Sequence, residues 1–364
     1  MNPKERFESA INNEKPDRMP LGYHFFGAGN SVLRALGLSF KDAYYSSKCI
    51  AKAQLKALEM FGHDNVNAPW GCLNVESEAF GCELAIKKDD YPVTKGPIIN
   101  HYEDLETMKI PEPTRSGRMP LVLESIKLLD EKIGKSNPVI GFMCSPAIVA
   151  TEIRGFENFL MDSIRDPKFI RQILKTTTKA CEEYLEAMVN QGAFAVMIEN
   201  SCSGRDILDP NSCDELVVRF NREVINRAKK LNVYSIIYNS STAPYIDKDL
   251  SLKPDVLSFH MGDKKSIMEE YGWDCDKFHN KIGACTKRSC IPMINDVCLM
   301  GNVNHANTML NGTYDDVYKE AMNCLESSKN REGGFILSTG CEVPFDAPIK
   351  NMIALRDAVE AFSI

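Results

Sequence analysis

The chain has 364 residues, 44% of them hydrophobic and 26% charged. That is long enough to bury a large core and too apolar for extended disorder. A net charge of -7 argues against nucleic-acid and anionic-membrane partners, which call for a basic face. The opening MNPKERFESAINNEKPDRMP holds no apolar signal segment, and no run of about 18 apolar residues occurs. The 13 cysteines are therefore expected as reduced thiols in a cytosol, most of them small buried groups.

A short apolar run, then turn residues, then an amphipathic stretch recurs along the chain, the pattern of βα units around a parallel sheet. Strands are expected at 18–25, 65–70, 139–144, 195–199, 233–238, 256–260, 297–301 and 335–338. Their near-continuous apolar character fits strands buried on both faces. Helices are expected over 166–191, with Pro167 in its first turn and Gly192 past its end, over 209–231, capped by Asp209, and over 312–329, capped by Thr313. Residues 81–118, rich in proline and charge, form an excursion. Residues 263–296, with Cys275, Cys285 and Cys290, are too long for a simple connection and form an insertion. Eight βα units predict a single (β/α)8 TIM barrel over 1–364, with an N-terminal extension and this insertion between strands 6 and 7.

In such a barrel the chemistry sits at the C-terminal ends of the strands. That rule selects His24, Asn67, Cys144, Glu199, Asn200, Cys202, Tyr238, Asn239, His260, Asn302, Cys341 and Glu342. His, Cys and Glu are prominent among them, so a zinc site drawn from several strand ends is expected. Cys341, after Gly340 in FILSTGCEVP, is either a buried thiol or a ligand or nucleophile at the mouth. His260 is either a hydrogen-bonding group or a metal ligand beside Cys341. Glu199 ends an apolar strand, where burial requires a partner. Three roles fit it: metal ligand, base, or pair to Arg205. Trp70 is a packing group or the wall of a pocket for an aromatic or macrocyclic group. No GxGxxG, Walker, HExxH or GxSxG motif occurs, which removes the commoner nucleotide and hydrolase readings.

NPKERFESAINNEKPDRMP, ESEAFGCEL, CSPAIVATEIRGFENFL, QGAFAVMIENSCSGRDILDP, VCLMGNVNHANTMLNGTYDDVYKEA and GGFILSTGCEVPFDAPIKNMIAL resemble, in this order, the uroporphyrinogen decarboxylase superfamily. The resemblance implies a (β/α)8 barrel in a monomer or homodimer. Its decarboxylases hold substrate carboxylates with an arginine-rich motif after strand 1. Here LGYHFFGAGNSVLRALG has Arg34 alone. Its other branch comprises methyltransferases that work with cobalamin on a corrinoid protein and use zinc, often held by His-x-Cys at strand 5 and Cys at strand 8. Cys341 matches the latter, whereas Ile237 and Asn239 are read as standing where His and Cys would be.

The resulting expectation is a zinc-dependent methyltransferase moving methyl between a small O-, S- or N-methyl donor and the cobalamin of a corrinoid protein. Cys341, His260 and Glu199 are its expected metal ligands. Glu199, His260, Tyr238 and Asn239 are expected to be catalytic, and His24, Trp70 and Asn302 to contact the cofactor. A tetrapyrrole decarboxylase and a non-catalytic corrinoid- or tetrapyrrole-binding barrel are the alternatives.

Overall fold

The computed structural model describes residues 1–24, 29–69, 74–86, 91–259, 297–329, 331 and 333–363. Seven strands make one all-parallel sheet: β1 (Val66–Ala68), β2 (Val139–Cys144), β3 (Ala195–Glu199), β4 (Tyr234–Asn239), β5 (Val256–Phe259), β6 (Cys298–Val303) and β7 (Phe335–Thr339). Their spatial order is the chain order. Each neighbouring pair is parallel. Residues of β2, β3, β5 and β7 are buried throughout, as helices packed outside and side chains packed inside require.

The sheet is curled, because one segment bonds to both of its edges. Leu21 bridges Leu337 of β7, with Gly22 N donating to Leu337 O at 2.8 Å and Leu337 N to Pro20 O at 2.9 Å. On the other side Asp64 N donates to Leu21 O at 2.8 Å. The strand expected over 18–25 is reduced to that single bridge. The reason is chemical: Pro20 has no N–H to give, and the amides of Leu21 and Tyr23 go to side chains. Leu21 N donates to Asp64 Oδ2 at 2.7 Å and Tyr23 N to Asn65 Oδ1 at 2.8 Å. Asn65 and Asn67 Nδ2 return bonds to Tyr23 O at 2.9 and 3.0 Å. The polar residues of the 65–70 stretch thus carry the pairing that backbone ladders carry elsewhere.

The helices follow their caps. Asp166 Oδ1 accepts from Phe169 N at the start of Pro167–Asn190. Asp209 Oδ1 accepts from Asn211 and Ser212 N at the start of Pro210–Cys213, which runs through a π turn, Asp214–Val218, into Arg219–Lys230. Thr313 and Asp316 form a capping box before Tyr314–Ser328. The helix Val75–Phe80 precedes the excursion, which contains a two-residue antiparallel pair, Leu84–Ala85 with Val93–Thr94, and the helix Tyr102–Thr107. Among the described residues, no helix is long and apolar enough to cross a membrane. None of the nine described cysteines is in a disulfide, and seven are buried. The expected insertion at 263–296 lies outside the described residues.

Candidate active site

Strand parity decides which side chains reach the interior. On β4, Tyr238 points inward: its Oη lies 2.6 Å from Cys341 Sγ, just past β7. Ser240, two residues on, donates to Glu199 Oε1 at 2.7 Å. Glu199 also accepts from Ser201 N and Ser201 Oγ, at 3.2 and 3.3 Å. Three strand ends, those of β3, β4 and β7, therefore bring a thiol, a phenol, a hydroxyl and a carboxyl to one place.

The alternate residues face the other way. Ile237 is wholly buried in the core. Asn239 Nδ2 donates to Asp249 Oδ2 at 2.6 Å and to Ser203 O at 2.9 Å, and its Oδ1 accepts from Ser241 N. Asn200 Nδ2 donates to Asp249 Oδ1 at 2.8 Å. The two asparagines next to the centre are thus bound behind it by one buried carboxyl on the helix Ile246–Ser251. Tyr238 meets Cys341 and Ser240 meets Glu199, whereas Ile237 and Asn239 have their contacts on the other side.

His24 lies beneath. Its Nε2 makes a short bond with Ser258 Oγ, its Nδ1 meets Ser338 Oγ at 3.3 Å, and its ring centroid is 4.7 Å from that of Tyr238. Burial drives its pKa down to about 3, so it is a neutral prop for the tyrosine ring with both nitrogens engaged. Asn302 is half-buried in β6, paired in register with Ser338. Trp70 and His260 lie outside the described residues. Arg205 is not Glu199's partner; it lies over the Tyr245 ring at 4.6 Å.

Burial sets the protonation of the centre. It raises the Cys341 thiol, with Glu199 adding to the rise, while the hydrogen bond with Tyr238 opposes it. Glu199 is pushed up to about 7 by burial, against the pull of Ser240 and Ser201. Two further carboxyls, not singled out in the sequence, share this environment. Glu76, on the helix Val75–Phe80, accepts from Cys144 N at 2.8 Å and is raised to about 7 by burial. Glu152, on Pro146–Arg154, is raised to about 8 by burial, with Glu76 and Glu199 adding. Among the described residues its buried Oε2 has no hydrogen-bond partner. Beyond Cys341, Tyr91 donates a short hydrogen bond to Glu342, its ring 4.8 Å from that of Phe345. A groove of about 570 Å³ lies elsewhere, on the excursion between Ala79 and Ser116.

A zinc ion wants three protein ligands from Cys, His, Asp or Glu, with a fourth position open for chemistry. Among the described residues no three such side chains come together. Cys341 and Glu199 have the right chemistry, but their immediate neighbours are hydroxyls, which are weak zinc ligands when protonated. The described donors do not fit the expected zinc site.

A family model described as uroporphyrinogen decarboxylase (URO-D) matches residues 2–362. The chain belongs to the uroporphyrinogen decarboxylase family. Within that family it is 27% identical over 364 residues to the methylcobamide:CoM methyltransferase MtaA of Methanosarcina barkeri, covering 99% of this chain and 98% of the relative. It is 23% identical over 372 residues to the uroporphyrinogen decarboxylase of Anaeromyxobacter sp. (strain Fw109-5), covering 98% and 99%. A solved methyltransferase from Methanosarcina mazei superposes with a TM-score of 0.83 at 26% identity, covering 99% of this chain and 98% of the other. The likeness to that structure makes the fold TIM-barrel-like, and the family and these relatives place the URO-D chain among enzymes, with methyltransferases prominent.

Proposed function

We propose that this chain is a corrinoid-dependent methyltransferase, moving a methyl group between a small methyl donor and the cobalamin of a separate corrinoid protein. In this reading the segment around Leu21 completes an eight-fold barrel. The observation that carries the function is the convergence of Cys341, Tyr238 and Glu199 at the strand ends of a fold shared end to end with named methylcobamide methyltransferases. Glu199 and Tyr238 are buried and Glu199 is raised to about 7, a setting that would suit methyl transfer to the corrinoid as co-substrate. The departing oxygen, nitrogen or sulfur then needs a proton, and Glu199 and Tyr238 are the proton-bearing groups at hand. Zinc and His260 were expected beside them; no step here runs through a metal.

The decarboxylase alternative has less support. A substrate carrying several carboxylates needs several placed cations. Arg34 is exposed, with Nη2 3.7 Å from Asp346 Oδ1, and Arg6 and Arg18 are committed to Asp64.

The test is to mix the purified protein with free cob(I)alamin and separate panels of methoxyaromatics, methylamines and methylthiols, following the spectral change to methylcob(III)alamin. Methylation with at least one panel, lost in Cys341→Ala, is expected. Release of carbon dioxide from a porphyrinogen, with no corrinoid methylation by any panel, would overturn the proposal.

A further inference from the structure

The donors around Cys341 disagree with the metal that the family implies, and the disagreement has a specific location. Two ligands from one strand that share a metal must be two residues apart, because only alternate side chains face the same side. At the end of β4 the residues two apart that enter this centre are Tyr238, in the strand, and Ser240, just past it. Tyr238 Oη is 2.6 Å from the sulfur, and Ser240 Oγ is 2.7 Å from Glu199 Oε1. Neither carries a nitrogen or a sulfur.

We propose that this centre is a hydroxyl-for-ligand variant, in which Tyr238 and Ser240 occupy two positions of a zinc site and Cys341 works as a hydrogen-bonded thiol without a metal. The inference rests on the strand-end centre being the place of methyl transfer. Its test reads metal, not turnover, so it fails separately from that reading.

Three features support it. The thiol's neighbour is an oxygen at hydrogen-bond distance, so the pair is satisfied without an ion. Glu199 already accepts three bonds, from Ser240 Oγ, Ser201 N and Ser201 Oγ, leaving little of its acceptor capacity for a metal. Tyr238 is also fixed from behind by the His24 ring, itself held by Ser258 and Ser338, so the phenol is a built feature of the interior.

The experiment is metal analysis of the purified wild-type chain after incubation with zinc and desalting, alongside the double variant Tyr238→His, Ser240→Cys. The wild type is expected to hold under about 0.1 zinc per chain and the double variant about one, as for a three-ligand site. Cobalt(II) added to the double variant should give a two-thiolate absorption that weakens to the one-thiolate level or is lost when Cys341→Ser is added. Stoichiometric zinc in the wild type, lost in Cys341→Ser alone, overturns the proposal, and so does a folded double variant that takes up no metal. If the double variant does not fold, the wild-type measurement decides, and Ser240→Cys alone supplies the cobalt readout: a two-thiolate absorption supports the register and its absence overturns it.

Discussion

Tyr238 Oη lies 2.6 Å from Cys341 Sγ, joining the end of β4 to the residue after β7 across 103 positions of chain. Phenylalanine at 238 would keep the ring against His24 and remove the hydroxyl's contacts, this one and the backbone hydrogen bond at Glu342. The thiol, already raised by burial, would lose the partner that draws it down, so its pKa should rise further. In Tyr238→Phe, alkylation of Cys341 by iodoacetamide at pH 8, read residue by residue in a mass spectrometer, should slow several-fold. Methyl transfer should fall about a hundredfold if the phenol handles a proton. The stability loss should be only about 1 kcal/mol. An unchanged alkylation rate would show that the hydroxyl does not control the thiol.

Asp249 ties down the backs of the two strand ends whose fronts carry Glu199 and Tyr238. It accepts from Asn200 Nδ2 at 2.8 Å and Asn239 Nδ2 at 2.6 Å, and Asn221 Nδ2 continues the network to Asn200 Oδ1 at 2.7 Å. Asp249→Ala would take the acceptor from Asn200 Nδ2 and leave Asn239 Nδ2 with Ser203 O alone, at about 1–3 kcal/mol for each lost bond. Urea denaturation should show a loss of about 2–5 kcal/mol. In the folded fraction, kcat should fall more than KM rises, because the strand ends are displaced but the donor's walls remain. A drop in stability with kcat unchanged would leave Asp249 a structural group only.

The frame of this architecture was legible because apolar runs alternate with capped amphipathic stretches; Asp166, Asp209 and Thr313 cap where their sequence context places them. The first expected strand was not, because its pairing is carried by the side chains of Asp64 and Asn65 and no hydrophobic pattern reports that. Cys341 and Tyr238 were visible as strand-end residues. Their contact was not, since it depends on which parity of β4 faces inward. Two-residue periodicity alone groups Tyr238 with Ser240 and separates both from Asn239, but only the bonds to Cys341 and Asp249 say which set looks in. Glu76, in ESEAFGCEL, and Glu152 follow strands instead of ending them, so a rule based on strand ends passes over both.

The closure of the curled sheet depends on Asp64. Its carboxylate is 1% exposed and receives Arg6 Nη1 at 2.8 Å, Arg18 Nη1 and Nη2 at 2.9 and 2.8 Å, and Leu21 N at 2.7 Å. Removing that charge leaves the largely buried Arg6 guanidinium without its inner carboxylate, held only from outside by Asp17 and the Met1 carbonyl. Breaking a buried pair from one side costs about 3–5 kcal/mol. Asp64→Ala should lose about that much in denaturant titration, and amides from Leu21 to Tyr23 should exchange faster with solvent. A variant as stable as wild type would mean that the backbone bonds to Leu337 suffice.

Stability should fall as the solution is made more alkaline through neutrality, because the folded chain holds protons that the unfolded chain has released. Glu76, Glu199 and Asp249 are raised to about 7, and Glu152 to about 8, each chiefly by burial. A carboxyl raised on folding contributes stability below its unfolded pKa and loses it as pH rises through the folded one. His24 and His63, lowered to about 3 by burial, act oppositely: their contribution is complete above about 6.5 and fades as pH falls toward 3. Below about 6.5 the two sets oppose each other. Above about pH 6.5 the histidines become neutral in both states, and the raised carboxyls set the slope, with Glu342, also pushed up by burial, adding to it. The melting temperature should drop by several degrees from about pH 6.5 to 8, corresponding to a few kcal/mol. Glu152→Gln should flatten the decline, because it removes one of the raised carboxyls and relieves its neighbours of a like charge. Calorimetry of both proteins at half-unit pH steps supplies the comparison. A wild-type melting temperature that is level or rising from pH 6.5 to 8 would mean that these carboxyls are already ionised in the folded chain, and with that Glu199 would have no proton to lend a leaving group at neutrality.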